Sequence, residues 1–275
     1  MNEQHSKMLL HLGGGGFLLV FALAPFIWMV TISLTARPDF FTVSGTVWSL
    51  RHYGEILSNP SLRFGSYFRN SMVVSLSAAL SVTFLSSLAA YAVSRLRFAG
   101  RTLIPVAILA VSMFPQICIV GFLFRMFSFL GLINTAPALI LPYIALTIPL
   151  ALWILMGTFA RIPLDIDKAA CIDGASRWRT LWLIVLPIAL PGIFSAFLLV
   201  FIQCFNEFLF AVMLTIDFRA QTLPVGIALF EGVHGEIPWG SLMAASVLGS
   251  VPLVVLTVVC QKFVVSGLAA GAVKG

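Results

Sequence analysis

The sequence predicts an all-α membrane protein with six transmembrane helices, and three observations carry that prediction. Of its 275 residues, 60% are hydrophobic and 9% charged, with a mean hydropathy of +1.05, which leaves too little polar surface for an ordinary soluble fold. The apolar residues collect into six runs of roughly 20, the length a helix needs to cross the hydrocarbon core. These runs are continuous, without the period-2 alternation of barrel strands, and a helix satisfies its own backbone groups in lipid.

In chain order the spans are 13–34, 70–93, 102–124, 136–158, 181–203 and 241–261, and none contains Asp, Glu, Lys or Arg. The first has two features of a signal peptide, Lys7 ahead of the apolar run and Ala22-Leu23-Ala24 within it. The run continues past Pro25 to Ile32, which favours an uncleaved span over cleavage. Gly13, Gly14, Gly15 and Gly16 are expected to form a loose helix entry, because four glycines weaken a helix interior. The long connections 35–69 and 204–240 are punctuated by Pro38, Pro60, Pro224 and Pro238, and their aromatic residues, Trp48, Tyr53 and Phe208 among them, predict folded loops. The whole chain, 1–275, reads as one transmembrane domain.

Lys and Arg decide the sidedness. The termini and the connections after the second and fourth spans hold ten, including Arg95, Arg97 and Arg101 in one short turn, against six in the other three connections. The termini are therefore expected in the cytoplasm, together with the connection 159–180. The net charge of +6 belongs to this asymmetry rather than to nucleic-acid binding. Cys118, Cys171, Cys204 and Cys260 are scattered, as are the four histidines, so neither a metal cluster nor a nucleophile with its base is visible.

The connection 159–180 stands out because Arg161, Asp165, Asp167, Lys168, Asp173, Arg177 and Arg179 crowd between two apolar spans. Pro163 suits a helix start, and Asp165 and Asp167 complement the positive end of the helix dipole. Ile166, Ala169 and Ala170 give that helix a small apolar face. Gly174 suits a left-handed helix stop, and Ser176 can cap the next helix. A helix, a tight turn and a second helix result, the second running into a fifth span bent by Pro187 and Pro191. Ala169, Ala170, Gly174 and Ala175 are small enough for another protein's backbone to approach closely.

Ala169-Ala170-Cys171-Ile172-Asp173-Gly174-Ala175, with Leu186-Pro187 and Pro191-Gly192, resembles the E-A-A…D-G-A…P signature of membrane permeases of ATP-binding-cassette importers. Asn70-Ser71, Met113-Phe114-Pro115, Gly131-Leu132-Ile133-Asn134-Thr135, Asn206-Glu207-Phe208 and Thr222-Leu223-Pro224 extend the likeness over most of the chain. The set is similar to the carbohydrate-uptake branch, in the smaller six-helix permease of maltose-type systems. The resemblance implies a type I importer permease fold in the plasma membrane of a prokaryote. It implies a second permease, a different chain, as partner, with two ATPase subunits docked on Lys168, Ala169, Ala170, Asp173, Gly174 and Ala175 and an extracytoplasmic solute-binding protein outside. The chain lacks a Gly-x-x-x-x-Gly-Lys-Ser/Thr phosphate loop, so ATP and Mg2+ belong to the partner ATPases, and no cofactor is expected here. One departure stands out: Lys168 occupies the position where the family has Glu.

Gln203, Asn206 and Glu207 close the fifth span, and two readings stand, contact with the pathway or binding protein, or a simple interfacial cap. Gln116 and Asn70 are expected to be interhelical hydrogen-bonding groups. The tail, including Gly271 and Lys274, is implied by the resemblance to reach the ATPase interface, although its composition alone suggests a frayed end. An ion-coupled secondary transporter is disfavoured because no span carries an ionisable group. A permease for glycerol phosphates or polyamines is the nearer alternative.

Overall fold

The computed structural model describes the backbone of residues 2–36, 47–230 and 238–272, and the side chains of 13–36, 47–230 and 238–261. Those residues are helical almost throughout, and their only β pairing is one antiparallel bridge between Thr35 and Trp48. The chain divides into two compact units, residues 1–65 with 227–251, and 66–226 with 252–275.

In the first unit, α1 (Asn2–Ser33) is continuous and passes through all four glycines and Pro25, so the expected loose entry at Gly13 is not there. Lipid explains the difference: an unpaired backbone group costs several kcal/mol in hydrocarbon, more than the roughly 1 kcal/mol of helix propensity each glycine forfeits. Only 6% of the α1 span is buried within this chain, which leaves its apolar surface to lipid or to another subunit. The connection after it folds back. Ala36 donates to the Val47 carbonyl at 2.9 Å and Ser49 to the Leu34 carbonyl at 2.7 Å, and α2 (Arg51–Ser58) follows. Tyr53 Oη lies 2.7 Å from Ser33 Oγ, and His52 sits between the Thr35 carbonyl, at 3.0 Å, and Ser241 Oγ, at 3.4 Å. Gly240 lies so close to the His52 ring that a Cβ would overlap it.

The second unit contains most of α3 (Phe64–Arg95). The expected third span is broken into α4 (Leu103–Ser112) and α5 (Gln116–Phe129), which meet at an angle of 87°. Pro115 causes the break: it lacks an N–H, adopts extended backbone (φ −62°, ψ 126°), and disfavours helix at the residue before it. Among the described residues five helices are therefore long and apolar enough to cross a membrane unbroken, and the count reaches six when the bent pair is taken as one broken span. α6 (Ala136–Ala160) packs on α9 (Leu186–Phe205) as the most extensive helix pair, with Tyr143, Leu155 and Phe159 of one and Ala189, Ala196 and Phe201 of the other fully buried. Gly192 lets the backbones approach, since a Cβ there would run into the Thr158 side chain.

Between α6 and α9 lie α7 (Leu164–Ile172) and α8 (Arg177–Thr180), the latter continuing through one π turn, Leu181–Val185, into α9. The π turn suits Pro187: Leu186 donates to the Leu181 carbonyl, five residues back, and the widened turn gives room for a ring that would otherwise press on the carbonyl four residues before it. Short helices α10 (Leu209–Leu214) and α11 (Leu223–Ala228) follow. The last helix, α12 (Trp239–Ala272), contributes to both units.

Candidate functional site

The charged connection folds as helix, turn, helix. Pro163 precedes α7 with φ −56°, and Asp165 and Asp167 lie in its first turn. Its end is a Schellman motif: Gly174 donates to the Cys171 carbonyl at 3.1 Å and Ala175 to the Ala170 carbonyl at 2.9 Å. Gly174 holds the left-handed φ of +78° that this requires. Ser176 then caps α8, its hydroxyl accepting from the Arg179 N–H at 3.3 Å.

Lys168, Ala169, Asp173 and Gly174 are exposed, Ala175 half-buried. Ala170 is buried in its own chain, so it is not open to a partner's backbone, contrary to the expectation from its small size. Larger apolar groups are exposed instead: Leu164 (55%), Trp178 (63%) and Ile172 (86%). Lys168 donates to Asp165 Oδ1 at 2.8 Å across one turn of α7, with both side chains mostly in solvent. That hydrogen bond first, and the ammonium charge second, hold the Asp165 carboxyl below its usual range.

A residue counted in the sequence only as a basic flank proves to anchor this loop. Arg95, at the end of α3, is 5% exposed, and its Nη2 donates to the carbonyls of Phe159, at 3.0 Å, and Ile162, at 2.7 Å. Its Nη1 forms a buried ion pair of 3.4 Å with Asp167 Oδ2. Neither Asp167 oxygen has a hydrogen bond. One guanidinium thus joins the end of α3, the last turn of α6 and the residues just after it, and the first turn of α7. The sequence carries this signal faintly, as an Arg at a helix end and an Asp in an α7 first turn, but at 72 positions apart nothing in the spacing pairs them.

At the other end of α9, Gln203, Asn206 and Glu207 come together on a polar cavity of about 350 Å3 that Gln116 and Tyr143 also line. Glu207 does serve as a cap: its carboxylate accepts from the N–H groups of Phe210, at 2.9 Å, and Ala211, at 3.2 Å, at the start of α10. It also accepts from Tyr143 Oη at 2.7 Å, so the cap faces the cavity. Asn206 Nδ2 donates to the Ile202 carbonyl at 3.0 Å. The amides of Gln116 and Gln203 have no protein hydrogen bond among the described residues.

Other motif residues are structural. Asn70 donates to the carbonyls of Phe218 and Gln221, both at 3.0 Å, and Ser71 Oγ accepts from the Leu223 N–H at 2.7 Å. Asn134, at a left-handed φ of 63°, donates to Asp217 Oδ1 at 3.0 Å and accepts from the N–H groups of Ile216 and Asp217. Gly271 falls within α12, whereas Lys274 lies outside the described residues. All four cysteines are free, and no cluster of three potential metal ligands occurs among the described residues.

Comparison with known proteins agrees with this architecture. Residues 82–269 match the family model described as binding-protein-dependent transport system inner membrane component. The trehalose/maltose transport system permease protein MalG of Thermococcus litoralis is 50% identical, with 100% of both chains covered. The trehalose transport system permease protein SugB of Mycobacterium tuberculosis is 38% identical over 93% of each. A crystal structure of a bacterial transporter that imports alginate shares the fold, with a TM-score of 0.77 and 19% identity over 95% of this chain and 98% of that one. The chain thus belongs to the family of inner membrane components of binding-protein-dependent transport systems, and is a multi-pass permease subunit of that kind.

Proposed function

We propose that this permease forms half of a translocation pathway for a sugar or oligosaccharide and couples it to ATP hydrolysis by docked partners. The observation that supports the solute class most strongly is the 50% identity, over 100% of each chain, to a trehalose/maltose permease. The partners in this reading are a second, different permease, two ATPases carrying ATP and Mg2+, and a solute-binding protein outside the membrane. Both termini and the connection 159–180 face the cytoplasm of a prokaryotic cell.

α7 is the docking element. Its exposed Ile172, beside Asp173 and Gly174, offers an apolar knob with a rigid glycine stop, a form suited to a complementary cleft. ATPase closure would push α7, and α7 would move the spans through its anchor on α3 and α6. Ala169, Asp173, Gly174, Lys168 and the half-buried Ala175 supply the contact surface. Gly271 and Lys274 are proposed to reach the same interface from the C-terminus, and unchanged coupling after deletion of 271–275 would remove them from it.

The test is to purify the complex through this subunit, identify the co-purifying chains, and measure which saccharides its binding protein retains. Gly174→Pro and Asp173→Lys should leave basal ATPase activity and abolish its stimulation by loaded binding protein. Normal stimulation in the Gly174→Pro complex, or a functional complex without an ATPase, would refute the proposal.

A further inference from the structure

We infer that the cavity bounded by α5, α6, α9 and α10 is a contact site for a neutral polyol, read by the side-chain amides of Gln116 and Gln203. The inference rests on the carbohydrate reading above and adds that this subunit itself touches the solute. The cavity's 350 Å3 lies at the low end of the roughly 300–1,000 Å3 typical of small-molecule sites, room for one sugar ring rather than a chain.

Its polar groups are unusual for this chain. Asn70 spends its amide on loop backbone and Asn134 on loop backbone and the Asp217 side chain, whereas Gln116 and Gln203 line the cavity with no protein partner among the described residues. Each primary amide carries two donors and an acceptor, the complement of adjacent hydroxyls that both donate and accept. Gln203 is exposed and Gln116 half-buried, so both amides are open to a solute that enters the cavity, and a hydroxylated one can replace the water they hold. Phe208, 44% exposed on the same cavity, supplies an apolar surface for the C–H face of a ring.

The charge pattern narrows the ligand further. Glu207 is the one carboxylate of the lining, and no Lys or Arg lines it to hold a phosphate or uronate. The Glu207 carboxylate already accepts three hydrogen bonds of the roughly four it can take, which leaves the two glutamine amides as the main groups open to a solute's hydroxyls. Neutral hydroxyls fit what remains.

The experiment places Gln116→Met and Gln203→Met, which keep side-chain length and lose the hydrogen bonds, in the native complex. Uptake of radiolabelled trehalose and of maltose is measured in cells, with complex abundance and binding-protein-stimulated ATPase activity measured on purified complex. Each variant should lower the maximal uptake rate about three- to tenfold, the loss expected for one or two neutral hydrogen bonds, with complex abundance unchanged and stimulated ATPase activity falling no further than uptake. Should a variant fail to assemble, the wild-type complex trapped with a non-hydrolysable ATP analogue provides the second measurement: labelled sugar should be retained, and Gln203→Asn should weaken retention. Wild-type uptake with variants inside twofold of it, or retention indifferent to Gln203→Asn, overturns this site alone. A wild-type complex that carries neither glycoside overturns the carbohydrate reading, and this inference with it.

Discussion

Replacing Arg95 should be the most damaging single change in the loop region, and the structure sets the size of the effect. Arg95→Met leaves the Asp167 carboxylate, whose side chain is 19% exposed, without a cation and takes the donor from two carbonyls in the buried residues Phe159 and Ile162. Removing one partner of a buried pair costs about 3–5 kcal/mol, and each stranded buried carbonyl about 1–3 kcal/mol where water does not reach it. Partial exposure of Asp167 pulls the total down, to about 3–5 kcal/mol for the whole change. Asp167→Asn is milder, about 1–2 kcal/mol, because Arg95 keeps both carbonyl bonds. Adding Asp167→Leu to Arg95→Met should recover at least about 1 kcal/mol, since the uncompensated charge is gone. Unfolding of the detergent-solubilised complex, titrated with a denaturing detergent, measures all three. Arg95→Met no worse than Asp167→Asn, or strictly additive double variants, would show that the guanidinium is not the anchor described here.

Gly192→Val should destabilise the α6–α9 pair by about 1–3 kcal/mol through overpacking against Thr158, and Thr158→Ala should restore part of the loss in the same unfolding assay. Asn134→Ala loses its hydrogen bonds to the 216–217 backbone and to Asp217 and strains a left-handed residue, so it should cost more than Asn134→Gly, which keeps the backbone geometry; proteolysis of the 215–222 loop reports the difference. Lys168→Glu sets two acids one turn apart on exposed α7, and solvent screening should keep its effect on stability slight, whereas stimulated ATPase activity should fall until the ATPase surface is changed to match. Asp165 is held below its usual range by Lys168, so the pair contributes above the ordinary carboxylate pKa and is lost as pH falls through the depressed one; coupled ATPase activity should therefore show no step from this pair near neutral pH.

What the sequence made legible was what is local. Pro163, Gly174 and Ser176 act on their own helix ends, so the helix-turn-helix of the loop could be read residue by residue, down to the left-handed glycine. The break at Pro115 was missed because apolarity hides it: Met113-Phe114-Pro115 is as hydrophobic as a span, and only backbone geometry distinguishes a bend from a crossing. The four glycines of α1 were misjudged because helix propensities measured in water carry little weight where lipid penalises every unpaired backbone group. Arg95 with Asp167, and Gln116 with Gln203, depend on which helices meet, and no spacing rule reports that.

The path between the two sites has its own physical logic. From Arg177 to Phe205 the backbone is helical without interruption, about 40 Å at the rise of an α-helix, so a push on the connection 159–180, as proposed above, would arrive at the cavity end with little loss along the axis. The π turn Leu181–Val185, followed by Pro187 and Pro191, is the place where this rod is least regular, and bending concentrates where hydrogen bonds are wide or missing. Arg95 fixes α7 to α3 and α6 on the near side of that point. On the proposed docking of an ATPase at this loop, motion entering there would be imposed on three helices at once, and the π turn would let α9 bend relative to the other two, the differential movement that opening and closing a cavity between α6 and α9 requires.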